Sequence, residues 1–227
     1  RHSMGGQSLE RAATALTFDQ GGCTPDSRVM VYRAHAGTRW RDVIPTLDSL
    51  GFAPKVTQAN SDFTLGGAFS VNAHGWAAPL GPMGSTVRAI RLLLANGEVG
   101  RCSRDVEPEL FSLAMGGYGL FGVILDLEVE MVRNTRLVPS FVQLAGSDFG
   151  PRFDAAVHDP DVLMAYGRLS VAKRNFLEDA MMTTFPRIAG APAPYIAGQN
   201  RLAGVTREIY RAQIGSDVWK EARWRAE

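Results

Sequence analysis

Three short stretches of this 227-residue chain hold the residue types from which a ligand site could be built. In Thr64-Leu65-Gly66-Gly67-Ala68-Phe69-Ser70-Val71-Asn72-Ala73-His74-Gly75, eight of the twelve residues are Gly, Ala, Ser, Thr or Asn. Side chains that small leave N–H groups and hydroxyls along a path where a bulky ligand can lie against main chain. The polar His-Gly end suits a pyrophosphate and a ring edge. Arg1-His2-Ser3-Met4-Gly5-Gly6-Gln7 has the same character, with two glycines, a serine and two cation-forming side chains, and reads as an anion nest. The third stretch, Gly117-Tyr118-Gly119-Leu120-Phe121-Gly122, spells G-x-G-x-x-G. The dinucleotide mechanism needs a strand before those glycines and a helix N-terminus after them. Here a helical pattern ends at Gly116 and a strand pattern begins at Val123, so the order is inverted and the stretch reads as a tight helix-to-strand turn. Taken singly, glycine-rich stretches are more often turns than ligand cradles.

Other chemistries lack their residues. His2, His35, His74 and His158 have no metal-ligand spacing, and Cys23 and Cys102 are far apart and cannot alone make a disulfide framework or a zinc site. Free thiols and no metal are expected. There is no G-x-S-x-G elbow and no G-x-x-x-x-G-K-[ST], which removes serine hydrolases and P-loop NTPases. Lys and Arg number 24 against 23 Asp and Glu, a net charge of +1, so the basic excess that displaces nucleic-acid counterions is missing. With 45% apolar and 21% charged residues the chain is an ordinary globular one. No apolar run approaches the ~20 residues of a spanning helix, and no leader pattern opens the sequence. The chain reads as soluble. The expected partner is a small molecule, membrane association is left open, and the compartment is left between the cytoplasm and the membrane periphery. Because the chain begins Arg1-His2-Ser3 and ends within a helix-like pattern, both ends are expected to be cut.

The elements that must position these stretches follow from periodicity. Residues 29–36 are β-branched and aromatic enough for a strand, and Thr38 is placed to cap a helix in which Trp40, Val43, Ile44 and Leu47 recur at helical spacing before Gly51. Pro45 implies a kink there or a regular helix starting only near Asp42. Residues 87–95 and 98–103 flank Asn96-Gly97, a dipeptide suited to a type I′ hairpin. Residues 105–115 form a helix with Pro108 early and Gly116 past its end. In the strand over 123–132, Val123, Leu125, Leu127, Val129 and Met131 are predicted to face inward, with Asp126, Glu128 and Glu130 outward. Strands are also expected at 138–144 and 162–170, a loop at 189–198 and a helix at 202–225. Seventeen of the 24 glycines precede residue 126. That change of composition predicts two domains, at residues 1–135 and 136–227. The fold class is α+β.

In order along the chain, these pieces resemble the FAD-linked oxidases of the vanillyl-alcohol oxidase / p-cresol methylhydroxylase (PCMH) type. Residues 1–7 are similar to that family's pyrophosphate loop. Ala36-Gly37 and the following helix are similar to its A-G-x-x-x-x-D-[LV] element. Residues 64–75 match its T-[VIL]-G-G-x-x-[ST]-x-x-x-H-G signature, and residues 85–97 stand in place of its strand and A-[DN]-G turn. Residues 110–124 are similar to its L-F-x-x-x-x-G-G-x-G-x-x-G-[VI]-[IV] end. The likeness covers about the first 135 residues, and its His2, Gly66-Gly67 and His74 patterns sit closest to the sugar-alcohol and aldonolactone oxidase branch. It implies a PCMH-type FAD-binding domain lacking its first βαβ segment, followed by part of a substrate (cap) domain, and FAD as cofactor. His2, Ser3, Met4, Gly5 and Gly6, with Thr64, Gly66, Gly67, Ser70, Asn72, His74 and Gly75, would hold the pyrophosphate and the isoalloxazine side. Gly122, Val123 and Ile124 would meet the adenine end. His2 matches the histidine that some members link covalently to the flavin 8α carbon, and a noncovalent pocket histidine is the alternative. The implied function is oxidation of a CH–OH group by hydride transfer to flavin N5. The alternatives are a non-catalytic flavin-binding module and an NAD(P)H-dependent reductase of the same superfamily. No residue of this chain is assigned as catalytic.

Overall fold

The computed structural model describes residues 12, 14, 16–18, 21–192, 212 and 214–226. The chain divides into two units, Arg1–Asn134 and Thr135–Glu227. The first runs β1 (Cys23–Asp26), β2 (Val31–His35), α1 (Trp40–Asp48), β3 (Phe52–Pro54), α2 (Leu65–Ser70), β4 (Val87–Leu93), β5 (Val99–Ser103), α3 (Pro108–Ala114) and β6 (Val123–Arg133). Its six-stranded sheet has the order β1-β2-β6-β4-β5, with β3 added along β6, and every pair is antiparallel. The inner face of that sheet and the three helices share one core in which Tyr32, Trp40, Leu47, Phe69 and Leu127 are fully buried. Each such side chain contributes about 1.5–3 kcal/mol on burial, against about 0–1 kcal/mol for an exposed ion pair. The inner face therefore holds the unit together.

The outer face carries charge. Glu128 of β6 accepts from Arg33 at 2.6 Å and Arg101 at 3.1 Å, and Glu130 from Lys55 at 2.7 Å and Arg88 at 3.2 Å. The strict alternation predicted along β6 does not hold over its first half. Val123 and Leu125 are only half-buried, while Ile124 and Asp126 are buried. The cause is a β-bulge: Arg91 pairs with Asp126 but Leu92 pairs with Ile124, so Leu125 has no opposite number and the inward face changes parity there. Asp126 stays buried under the Arg91 side chain, whose Nε donates to its carboxylate at 2.6 Å.

Several local expectations are also corrected. Thr38 is buried and does not cap α1; its hydroxyl bridges the Gly22 amide and carbonyl, both at 3.0 Å. The open amides of α1 are met instead by the Phe63 and Ser61 carbonyls. The helix starts at Trp40 and continues through Pro45, because the residue whose carbonyl the ring deprives of a partner, Arg41, is exposed to water. The 93–99 connection is a three-residue turn: Gly97 donates to Leu94 and has φ +86° while Asn96 keeps a negative φ, which is a type I turn closed by a left-handed glycine. Cys23 lies in edge strand β1, where Pro25 is tolerated.

The second unit contains β7 (Ser140–Ala145), α4 (Gly146–Val157), β8 (Val162–Leu169), β9 (Asp179–Pro186) and α5 (Asp217–Ala226). Its sheet order is β7-β9-β8, antiparallel throughout. Strand β9 and helix α4 were not foreseen. Phe149 and Phe153 of α4 stack 5.2 Å apart, and the bare α-carbon of Gly167 in β8 makes room for the Phe149 ring. Of the helix expected at 202–225, residues 202–211 and 213 lie outside the described residues, as does 193–198 of the expected loop.

Candidate functional site

Helix α2 is the point where segments distant in sequence meet. Thr64 stands at its N-cap in extended conformation, and its hydroxyl accepts from the Gly67 amide at 3.2 Å. The Leu65 amide donates to the Thr38 carbonyl and the Gly66 amide to the Ala36 carbonyl, both at 2.9 Å. A Cβ at Gly66 would stand 2.7 Å from that of Ala36, so only glycine permits this approach. At the other end of α2, the Gly116 amide donates to Phe69 at 3.1 Å and the Tyr118 amide to Ser70 at 2.9 Å. The Ala36-Gly37 element, the T-x-G-G stretch and the G-G-x-G turn are thus joined by backbone hydrogen bonds. No helix follows Gly122, in keeping with a helix-to-strand turn.

The chain then leaves α2 as an arm over 72–75. Asn72 has φ +44°, and its Oδ1 accepts from the Gly84 amide at 2.9 Å. Ala73 donates to Ala68 and accepts from Met83. Gly75 lies against residues 56 and 57, where a Cβ would come within 2.5 Å of the Thr57 carbonyl.

Not every amide of 64–75 is open to a ligand. Those of Leu65, Gly66, Gly67 and Ala68 are already bonded within the unit. The donors left over lie further along: the Ser70 hydroxyl, the exposed His74 imidazole and the amides of His74 and Gly75 have no partner among the described residues. Gly67 is exposed, and a Cβ there would stand 3.0 Å from the Thr64 hydroxyl that caps the helix. This donor set on a small-residue edge fits a diphosphate and a flavin ring edge. Gly122 sits where β6 meets β4, and a Cβ would come within 2.6 Å of the Leu93 carbonyl. Val123 pairs with Leu93 and Ile124 with Leu92, with the Ile124 side chain in the core. The side chains of Tyr118, Leu120 and Phe121 in that turn are exposed, so its glycine backbone and these rings and chains can all face a ligand. His2, Ser3, Met4, Gly5 and Gly6 lie outside the described residues. Gly84, which holds Asn72, was missed; its Pro82-Met83-Gly84 turn was the available signal.

Neither cysteine offers a nucleophile. Burial pushes the Cys23 thiol up to about 11, and burial followed by the nearby Glu107 carboxylate raises that of Cys102. Among the described residues no group of His, Cys, Asp and Glu is placed to hold a metal ion, and no helix is long and apolar enough to cross a membrane.

Comparison with known proteins adds similarities over parts of the chain. The FAD binding domain family matches residues 1–103. Cytokinin dehydrogenase 4 of Oryza sativa subsp. japonica is 30% identical over 144 residues, 63% of this chain and 26% of the relative. L-gulonolactone oxidase of Bos taurus is 35% identical over 97 residues, 43% of this chain and 22% of the relative. The chain thus spans about a quarter of the length of these curated relatives. The crystal structure of 6-hydroxy-D-nicotine oxidase from Arthrobacter nicotinovorans superposes with a TM-score of 0.56 at 21% identity, covering 74% of this chain and 38% of that one, a likeness of fold.

Proposed function

We propose that this chain, whose residues 1–103 match the FAD binding domain family, works as an FAD-dependent oxidoreductase that oxidises a CH–OH group of a sugar alcohol or aldonolactone. The observation that carries the reading is the junction at α2, where the T-x-G-G and G-G-x-G stretches meet and leave the donors of Ser70, His74 and Gly75 along one edge. When bound, FAD would supply a hydride acceptor at N5. The Ser70 hydroxyl, the His74 ring and the amides of His74 and Gly75 would hold its diphosphate and ring edge, and backbone at Gly122, Val123 and Ile124 its adenine end. His2, Ser3, Met4, Gly5 and Gly6 would close on the diphosphate, with His2 as the point of covalent attachment or a pocket histidine. Residues 136–227 would contribute to the substrate domain. The likeness to L-gulonolactone oxidase supports the aldonolactone class.

The longer match to a cytokinin dehydrogenase supports a second donor class, the cytokinins. Both are tested together. The purified protein should be yellow, with flavin absorbance between about 350 and 450 nm. Colour that stays with the acid-precipitated pellet, and is lost from it in His2→Ala, identifies the covalent link. Anaerobic bleaching by polyols or aldonolactones supports the proposal, bleaching by cytokinins alone replaces its donor class, and a folded protein unable to take up FAD overturns it.

A further inference from the structure

We infer that Arg104 is a positioning residue for the 72–75 arm, fixing where His74 and Gly75 present their donors without itself touching a ligand. Its consequence for FAD rests on the function proposed above. Arg104 follows β5, and its two Nη atoms donate to the carbonyls of Val87 and Gly84, each at 2.7 Å. Its guanidinium carbon lies 5.3 Å from the centre of the Phe111 ring, and no described carboxylate pairs with it. An arginine that directs its fork to two main-chain carbonyls makes charge-assisted bonds about twice as strong as neutral ones, in a geometry lysine cannot copy.

Of its three contacts, Gly84 leads to the arm and Phe111 to the helix the arm leaves, while the Val87 carbonyl anchors the guanidinium to β4. Through Gly84 the connection is direct: the residue whose carbonyl Arg104 holds donates its amide to Asn72 Oδ1 at 2.9 Å, and its neighbour Met83 donates to Ala73 at 2.9 Å. A Cβ at Gly84 would meet the Met115 sulfur and come within 2.8 Å of Asn72 Oδ1, so that it would displace both side chains. Through Phe111 the connection is by packing, since that ring lies 5.6 Å from Phe69 of α2. Asn72 is a non-glycine residue at φ +44°, a conformation that persists only where the surroundings hold it. Releasing the Gly84 carbonyl loosens the group that holds Asn72, and His74 and Gly75, two and three residues further on, carry the free donors.

The test uses the full chain, with FAD affinity from flavin fluorescence and exchange of the hydrogen-bonded amides of 72, 73 and 84 measured without FAD. Arg104→Met should weaken FAD about tenfold and Arg104→Lys by less, with faster exchange at 72, 73 and 84 and unchanged exchange in β6. Arg101→Gln, which frees Glu128 of a partner on the outer face, should alter neither reading. Arg104→Lys keeps a charge near Phe111 and supplies the comparison where Arg104→Met does not fold. Unchanged exchange at 72, 73 and 84 in the Arg104 variants overturns the inference, as does unchanged affinity where the unaltered protein binds FAD. If the unaltered protein binds no FAD while exchange still responds, the positioning stands and the proposed function falls.

Discussion

At the scale of single residues, Thr64 connects a local hydrogen bond to the candidate site. Its hydroxyl takes the Gly67 amide and its carbonyl the Ala68 amide, closing the first turn of a helix only six residues long. A helix so short depends on its cap and its packing rather than on propensity. Thr64→Ala should therefore cost about 1 kcal/mol in urea unfolding, with Thr64→Ser recovering most of it. An alanine variant with the unfolding midpoint of the unaltered protein would show that the cap is dispensable. The threonine and the small residues after it were legible in the sequence, since type and spacing alone mark them. Which amides stay open was not, because Gly66 is bonded to Ala36 and Leu65 to Thr38, partners some thirty residues away that only folding supplies.

Among the elements, β6 shows what periodicity can and cannot reveal. Its existence and its charged outer face follow from alternation, but the change of parity at Leu125 depends on the register against β4, which no window on β6 alone contains. The same applies to β1 and α4, which contain Pro25 and Gly150-Pro151 and depend on the edge position of one strand and the packing of Phe149 over Gly167. The outer ladder also makes β6 sensitive to acid. Burial alone would raise the Glu128 and Glu130 carboxyls, but hydrogen bonds from Arg33 and Arg101, and from Lys55 and Arg88, outweigh it and hold both below the ordinary glutamate value. A pKa lower in the folded than in the unfolded chain gives stability that is complete above the unfolded value, ~4.3, and is lost as pH falls through the folded one. Glu128→Gln and Glu130→Gln should each cost about 1 kcal/mol or less near neutrality and flatten the loss of stability on acidification. Urea midpoints compared at pH ~7 and pH ~3.5 read this directly, and variants with the unaltered pH slope would remove the ladder from the acid response.

For the molecule as a whole, the relevant contrast is between two units with different interiors. The first has a core of large side chains beneath a six-stranded sheet; the second buries mainly small ones such as Ala165, Ala172 and Ala180, and leaves β7 exposed along nearly its whole length, with Phe141 64% accessible. The FAD binding domain match falls within the first unit. A ligand that binds only the folded form stabilises it by RT ln(1 + [L]/Kd), ~2.7 kcal/mol at a hundredfold excess over Kd, equivalent to a roughly hundredfold slowing of amides that exchange by global opening. Those amides should lie in the central strands β6 and β4, which are paired on both sides. Saturating FAD should accordingly slow exchange in β6 and β4 by up to that factor, and should also protect His74 and Gly75, whose amides it would engage directly. Protection gained by the arm alone would describe a ligand held too weakly to stabilise the sheet behind it. Protection gained in β8 and β9 but not in β6 would move FAD binding out of the first unit, against the junction of three glycine-bearing segments on α2.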